Sequence, residues 1–200
     1  MRFRHFLTCL SLLSMSACTT GCKEYDNSEG FARAQLPAYT ETGANTLGCV
    51  LGAQKWTVLG SQQLKGPLGS SWQPNMLQVY RASAVPPLLT VRGAMTGVRN
   101  SIEFYDREIS FTFLLSDTLG GLRLLGADTV RMPPGQRAES MEAIDLIPYR
   151  GYRSTARRPV RLLIRKLDRQ ERIVSGTFSG VLYSATDSLA VTDGRFDVRY

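Results

Sequence analysis

Three carboxylates lie within six residues, Glu103, Asp106 and Glu108, and they are the first candidates for chemistry in this sequence. A glycosidase needs two carboxyl groups on either side of a sugar, roughly 5.5 Å or 6.5–9.5 Å apart. Glu103 and Asp106 are interspersed with the apolar Ile102 and Phe104, as outward positions of a strand are. We therefore predict no catalytic residue. A carboxylate-dependent glycosidase stays as the alternative to a non-enzymatic binding or structural accessory.

Histidine and cysteine usage narrows the possible chemistry further. His5 is the only histidine, and it lies in a segment that we expect to be removed. The mature chain then lacks Ser-His-Asp and Cys-His catalysis and histidine ligands for zinc or copper. If Cys22 is acylated, Cys49 is the one remaining thiol, and we expect it to be a small buried hydrophobe. The sequence therefore predicts no metal site and no cofactor.

A basic run between Arg150 and Arg172 carries nine Lys and Arg residues against Asp168 and Glu171, in a chain with a net charge of +7. Such a patch attracts lipid A phosphates, an anionic glycan or an acidic envelope protein. Arg161 and Arg165 alternate with apolar residues, so a solvated strand face is the other interpretation. We expect no specific nucleic-acid partner. The possible ligand contacts from this run are Arg157 and Arg158.

Exposed aromatic residues are a third group of candidates, because they stack on sugar rings. Trp72 lies in the stretch 60–75, whose glycines and prolines predict a loop. Tyr149 and Tyr152 flank Gly151. These three aromatics complete the predicted ligand contacts of a glycan-binding module.

The amino terminus has the order of a secretory signal. Basic Arg2 and Arg4 precede an apolar run at about 6–17, which is too short to span a bilayer. Small residues before a cysteine then predict a lipoprotein signal peptide at 1–21 and acylation of Cys22, with Cys18 as the alternative. Lys23 and the acidic residues after it are similar to the export signal of Bacteroidota surface lipoproteins. We expect a lipid anchor, a tether at 22–46 and a location at the outer membrane or cell surface.

One β-rich domain is predicted at 47–200, and the hydrophobic content of 43% is sufficient for a core. About ten short strands with period-two alternation and no amphipathic helix favour an antiparallel β-sandwich, with a β-barrel-like fold as the alternative. We expect a monomer. The predicted strands cover 47–51, 56–59, 76–80, 88–95, 102–105, 109–115, 122–125, 160–167, 173–183, 190–192 and 196–200, with 141–147 open to a helical turn and Asp193-Gly194 as a final turn.

Two motifs carry a family resemblance. The sequence IVSGTFSG at 173–180, followed by VTDGRFDVRY at 191–200, resembles the closing signature of a Bacteroidota lipoprotein family of unknown function. LP at 36–37 and TGANTLGCVLG at 42–52 are similar to that family's opening signature. Ser179-Gly180 departs from the usual polar-aromatic continuation. The resemblance implies secretion, lipidation and a β-rich fold, and it implies no catalytic residues.

Overall fold

The computed structural model describes residues 34–66, 69–83, 87–99, 103–115, 121–126, 139–146 and 149–200, with the backbone alone at 61–66, 69–72, 98–99 and 103–104. This part of the chain is all-β, and its main sheet is a strongly curled antiparallel half-barrel. The predicted all-β antiparallel class is confirmed, in its barrel-like form. The predicted signal peptide and both candidate lipidation sites, Cys22 and Cys18, lie outside the described residues.

Thirteen strands are present in the described residues. They are β1 Thr46–Leu51, β2 Gln54–Thr57, β3 Ser61–Gly66, β4 Gly69–Pro74, β5 Gln78–Ala82, β6 Leu88–Arg99, β7 Glu103–Leu114, β8 Gly121–Leu125, β9 Ser140–Leu146, β10 Tyr149–Arg153, β11 Val160–Asp168, β12 Ile173–Tyr183 and β13 Ser188–Arg199.

The main sheet has the order β2-β1-β13-β12-β10-β9-β7-β6-β5, and β11 and β8 extend it beside β12. Strands β3 and β4 form a separate two-stranded ribbon. After β2 the chain reaches β6 through a parallel bridge between Leu59 and Met95. The Leu59 amide donates to the Ala94 carbonyl (3.2 Å), and the Thr96 amide donates to the Leu59 carbonyl (3.0 Å). The curl therefore brings the β2 end of the sheet against β6.

The concave side of the sheet is filled by the core. The Phe111 ring lies 5.3 Å from the Phe178 ring and 5.2 Å from the Phe196 ring, centroid to centroid. Trp56 is fully buried, and its indole N–H donates to the Arg107 carbonyl at 3.2 Å across the interior. Because side chains fill the concave side, the surfaces open to a ligand are the outer wall and the ends of the strands.

Strands with clear local alternation form where the sequence predicts them. The predicted hairpin around Gly52 is β1–β2, and Gly52 has φ of +58°, a conformation that glycine adopts without strain. The predicted hairpin at 160–167 and 173–183 is β11–β12. In β11 the inward side chains are Val160, Leu162 and Ile164, which are buried, and Arg161 and Arg165 point out.

The predicted break between 102–105 and 109–115 is wrong, because β7 runs without interruption from Glu103 to Leu114. Asp106 and Glu108 lie on the outer face of the strand, whereas Arg107 lies on the same side as the buried Ile109 and Phe111. Glu108 accepts a bond of 2.5 Å from Arg92 of β6. Alternating charges on one face are compatible with an unbroken ladder on both edges.

The predicted turn at Asp193-Gly194 is also wrong. Both residues lie inside β13, where Asp193 has φ of +51°. Three steps along β13 match two steps along each neighbouring strand, β1 and β12. The dipeptide therefore forms a β-bulge, which bends β13 and increases the local twist.

Three further stretches differ from the prediction. The predicted loop at 60–75 contains the β3–β4 ribbon, so Trp72 lies in a strand; its side chain lies outside the described ones. The stretch 141–147 is strand β9, with Met141 and Ala143 buried on one face. Strand β10 has no counterpart in the prediction. The Tyr-Arg-Gly-Tyr-Arg sequence of β10 has only a weak apolar alternation. Pairing with β9 holds this segment as a strand.

Candidate functional site

Residues 34–45, which we call the strap, are part of the folded unit, although the sequence placed them in the tether. The buried Asp197 of β13 holds this segment. Its carboxylate accepts a bond from the Thr40 hydroxyl (2.7 Å) and bonds from the backbone amides of Thr42 (3.0 Å), Gly43 (2.8 Å) and Ala44 (3.1 Å). One side chain therefore satisfies four donors and fixes the strap across the outer wall.

Asp197 is held in its charged form. Burial by itself raises the pKa of this carboxyl, but the hydrogen bonds from Thr40 and from the Ala44, Gly43 and Thr42 amides outweigh burial and lower the pKa below its ordinary value. Asp197 lies on the face of β13 opposite Phe196 and Val198, together with Arg195 and Arg199. Its burial comes from the strap above it.

The strap forms one side of a groove of about 890 Å³ on the outer wall, which we call the wall groove. Strands β8, β11, β12 and β13 lie side by side there. Leu122, Leu163, Thr177 and Arg195 form one row across these strands, since each is in register with the next. Leu163 is half-buried and Leu122 is 53% exposed, so the floor has an apolar strip.

Three guanidinium groups surround that apolar strip. Arg161 and Arg165 are exposed on β11, two residues either side of Leu163, and Arg165 lies where the register between β11 and β12 shifts. Within the described residues neither of them forms an ion pair. Arg195 is fixed instead by backbone oxygens, since it donates to the carbonyls of Pro37 and Asp193, both at 3.3 Å. The wall groove therefore presents positive charge that no carboxylate of the described residues neutralises by a direct contact.

Tyr39 is the strap residue that lines the groove, and it is 43% exposed. Burial, followed by its hydrogen bond to Glu41 (2.5 Å), raises the pKa of Tyr39 to about 12. The charge of Arg165 acts in the opposite direction. At neutral pH the phenol is therefore uncharged, and it does not repel an anion.

The ligand contacts predicted from the sequence do not form one site. Tyr149 is 74% exposed at the end of the β9–β10 hairpin, whereas Tyr152 is 3% exposed and donates to Asp187 (3.3 Å). Arg157 is exposed in a turn, and Arg158 lies 4.5 Å above the Tyr183 ring. None of these four residues lines the wall groove as the structure describes it. Tyr152 is a core residue, and this corrects its assignment as a contact.

The carboxylates Asp106 and Glu108 do not line the wall groove as the structure describes it. Glu108 pairs with Arg92, and Asp145 accepts two bonds from Arg107. Burial, followed by the charge of Glu108, raises the pKa of Asp106, whose Oδ1 has no hydrogen bond among the described residues. Of the residues that the structure describes, Asp193 is the one carboxylate that lines the wall groove. The side chain of Glu103 lies outside the described ones.

Cys49 is fully buried in the core, as predicted. Burial raises the pKa of its thiol, and the charge of Arg107 acts in the opposite direction, so the thiol stays protonated at neutral pH. Across the described ranges, no three His, Cys, Asp or Glu residues lie close enough together to hold a metal ion.

Several groove residues have no recognisable functional signal in the sequence. Tyr39 lies in the predicted tether, and Leu122 and Thr177 show strand alternation alone. Arg161 and Arg165 were recognised as outward positions of a strand. Their partners across the sheet depend on register between β8, β11 and β12, which a single sequence does not contain.

Within the described residues, no helix is long and apolar enough to cross a membrane. Comparisons with protein-family models, with curated proteins and with solved structures found nothing that matches this chain.

Proposed function

We propose that this protein is a lipid-anchored, non-enzymatic binding protein of the bacterial outer membrane or cell surface, and that its wall groove binds an anionic glycan. The observation that carries the proposal is the set of three arginines, Arg161, Arg165 and Arg195, around the apolar strip of Leu122 and Leu163. Two features of the sequence support secretion and anchoring. One is the order of basic residues and an apolar run at the amino terminus, and the other is the resemblance of two motifs to a lipoprotein family.

The charges favour an acidic ligand. Guanidinium groups donate to carboxylate, sulfate or phosphate oxygens in pairs, and such charge-assisted bonds are stronger than neutral ones. Among the described residues, Arg161 and Arg165 have no ion pair that must break before they bind. The two side chains leave β11 four residues apart, so they can contact two different acidic groups of an extended chain.

The remaining groove residues favour a sugar chain. The hydroxyls of Thr177, Ser179 and Tyr39 can exchange hydrogen bonds with sugar hydroxyls, and the Leu122–Leu163 strip can cover the apolar faces of sugar rings. The groove lies open on the outer wall, so an internal segment of a polysaccharide can enter without a free end.

Binding without hydrolysis is the better interpretation of this site. A glycosidase requires a general acid and a second carboxylate flanking one bond. Asp193 is a single carboxylate, and it stands on a bulge at the groove edge. We therefore place the glycosidase alternative second.

The groove is tested with the Arg161→Ala/Arg165→Ala double variant and a fluorescent oligogalacturonide. We expect binding at low salt to weaken at least about tenfold, because two charge-assisted contacts are lost, and we expect the wild-type affinity to fall as salt is added.

Two controls make this test specific. Arg157→Ala removes an exposed arginine outside the groove and should leave the affinity unchanged. The methyl-esterified oligogalacturonide, which has the same length without charge, should bind weakly to the wild type. Equal binding of both oligosaccharides, or full binding by the double variant, would contradict the proposed ligand.

The anchor is tested separately by Cys22→Ala, with Cys18→Ala as its matched control. We expect Cys22→Ala to move the protein from the membrane to the soluble fraction, because it removes the acyl chains, while Cys18→Ala stays with the membrane. If the double cysteine variant still floats with membranes in a density gradient, the anchor is wrong.

A further inference from the structure

A second surface of interest lies at one end of the half-barrel, away from the wall groove. Leu146 ends β9 and Tyr149 begins β10, and the two residues face each other across the hairpin. They are 42% and 74% exposed. We call this pair the hairpin tip. Large apolar groups are exposed there with no described residue covering them.

The hairpin tip lies at the same end as the start of the strap. Arg150, next to Tyr149, lies 3.6 Å from Asp187 in the β12–β13 turn. The β1–β2 turn is adjacent, since the Gly52 amide donates to the Ala190 carbonyl (2.8 Å). On the other side of that turn, Lys55 donates to Gln35 at 3.2 Å. The chain that leads back to the proposed lipid anchor therefore leaves the body beside this end.

The chemistry of the hairpin tip fits the interface of a bilayer. Tyrosine is enriched where the apolar acyl region meets the headgroups, because its ring is apolar and its hydroxyl is polar. Leu146 supplies apolar surface next to it. Arg150 is exposed next to Tyr149, and Lys55 is exposed on β2 at the same end of the half-barrel, and both side chains are long enough to reach headgroup phosphates.

We infer that the hairpin tip rests in the headgroup layer of the same membrane that carries the anchor, and so orients the half-barrel. This inference rests on the proposed lipid anchor. Eleven residues, 23–33, separate Cys22 from the strap, and they span at most about 40 Å when extended. The strap end of the body can therefore reach the membrane surface. The wall groove, on the side of the strands, then remains open to the aqueous phase.

The experiment compares two labelled forms of the full-length lipidated protein in phosphatidylethanolamine–phosphatidylcholine vesicles. One form is Tyr149→Cys and the other is Tyr80→Cys, each carrying the same fluorophore. Tyr80 is 52% exposed and pairs with Thr90 of β6. Along β6, Thr90 lies six residues from the position that is level with the hairpin tip, so the two labels are about 20 Å apart along the strand direction. Cys49 is buried, so the label reacts at the introduced cysteine.

Quenching by nitroxide-headgroup lipids is the measurement. We expect the label at position 149 to be quenched at least about twofold more than the label at position 80, because only the former lies at the membrane surface. Equal quenching of the two labels would overturn the contact between the hairpin tip and the membrane. If Cys22→Ala still releases the protein from the membrane, that result leaves the anchor standing. Membrane binding that survives the double cysteine variant would overturn the anchor instead.

Discussion

Replacing Asp197 with asparagine should lower the free energy of unfolding by about 3 kcal/mol, because it removes a buried charge that four donors surround. The asparagine amide has one acceptor oxygen where the carboxylate has two. Its NH₂ group is itself a donor, so it cannot accept a hydrogen bond from the donors that face it. Urea denaturation measures the loss. The amides of Thr42, Gly43 and Ala44 should also exchange with deuterium faster, since they lose their acceptor.

Asp193→Asn is the matched control for this variant. Asp193 lies on the same strand, is exposed and has positive φ, which asparagine also adopts readily. We expect its stability to change by less than about 0.5 kcal/mol. An Asp197→Asn protein as stable as the wild type at neutral pH would show that the strap does not depend on this carboxylate.

The stabilisation by Asp197 should also depend on pH. Its pKa is lower in the folded chain than in the unfolded chain. The contribution is therefore complete above the unfolded value, roughly 3.9, and is lost as pH falls through the folded value. The stability difference between wild type and Asp197→Asn should be constant from neutral pH to about pH 5 and should shrink below pH 4. A difference that grows on acidification would contradict this origin.

Gly176→Ala should destabilise the fold by about 2–3 kcal/mol. A Cβ at this position would lie 2.2 Å from the Leu163 carbonyl oxygen and 2.9 Å from the Phe196 ring. The first contact is with the backbone of β11, so the strands have to separate for the methyl group to fit. The aromatic cluster around Phe111 then loses its packing. Thermal unfolding and near-ultraviolet circular dichroism report both effects.

Gly151→Ala controls for the intrinsic effect of the substitution. Gly151 also lies in a strand, and a Cβ there would meet nothing within 4 Å. Since alanine restricts the unfolded chain, we expect no loss and a gain of up to about 1 kcal/mol. If Gly176→Ala and Gly151→Ala lower the free energy of unfolding equally, the close approach of β11 and β12 does not explain the need for glycine at position 176.

Local alternation was sufficient for much of the fold. In β11 the order Val160, Arg161, Leu162 assigns every second side chain to the core, and the strand forms with that orientation. The same pattern predicted β12 from residue 173 to residue 183. Such strands bury one face and expose the other, so their period of two is present in the sequence itself.

The sequence was misleading where a residue's neighbours came from distant strands. Polar residues in β3 and β4 form a ribbon that lacks an apolar alternation, and Asp193-Gly194 forms a bulge between β1 and β12 in place of a turn. Asp197 is recognisable as an outward position, but its burial requires the strap, 153–157 residues earlier in the chain. These features depend on contacts that no local window contains.

For this protein, then, the amino-acid order alone determined an all-β body, the side of each strongly alternating strand that faces the core, and the buried state of Cys49. The tertiary structure decided that Tyr39, Leu122, Arg161 and Arg195 share one groove, and that Tyr152 is unavailable to a ligand. The physical reason is register. Alternation sets which face a side chain occupies, whereas the pairing of strands far apart in the chain sets which side chains lie next to it.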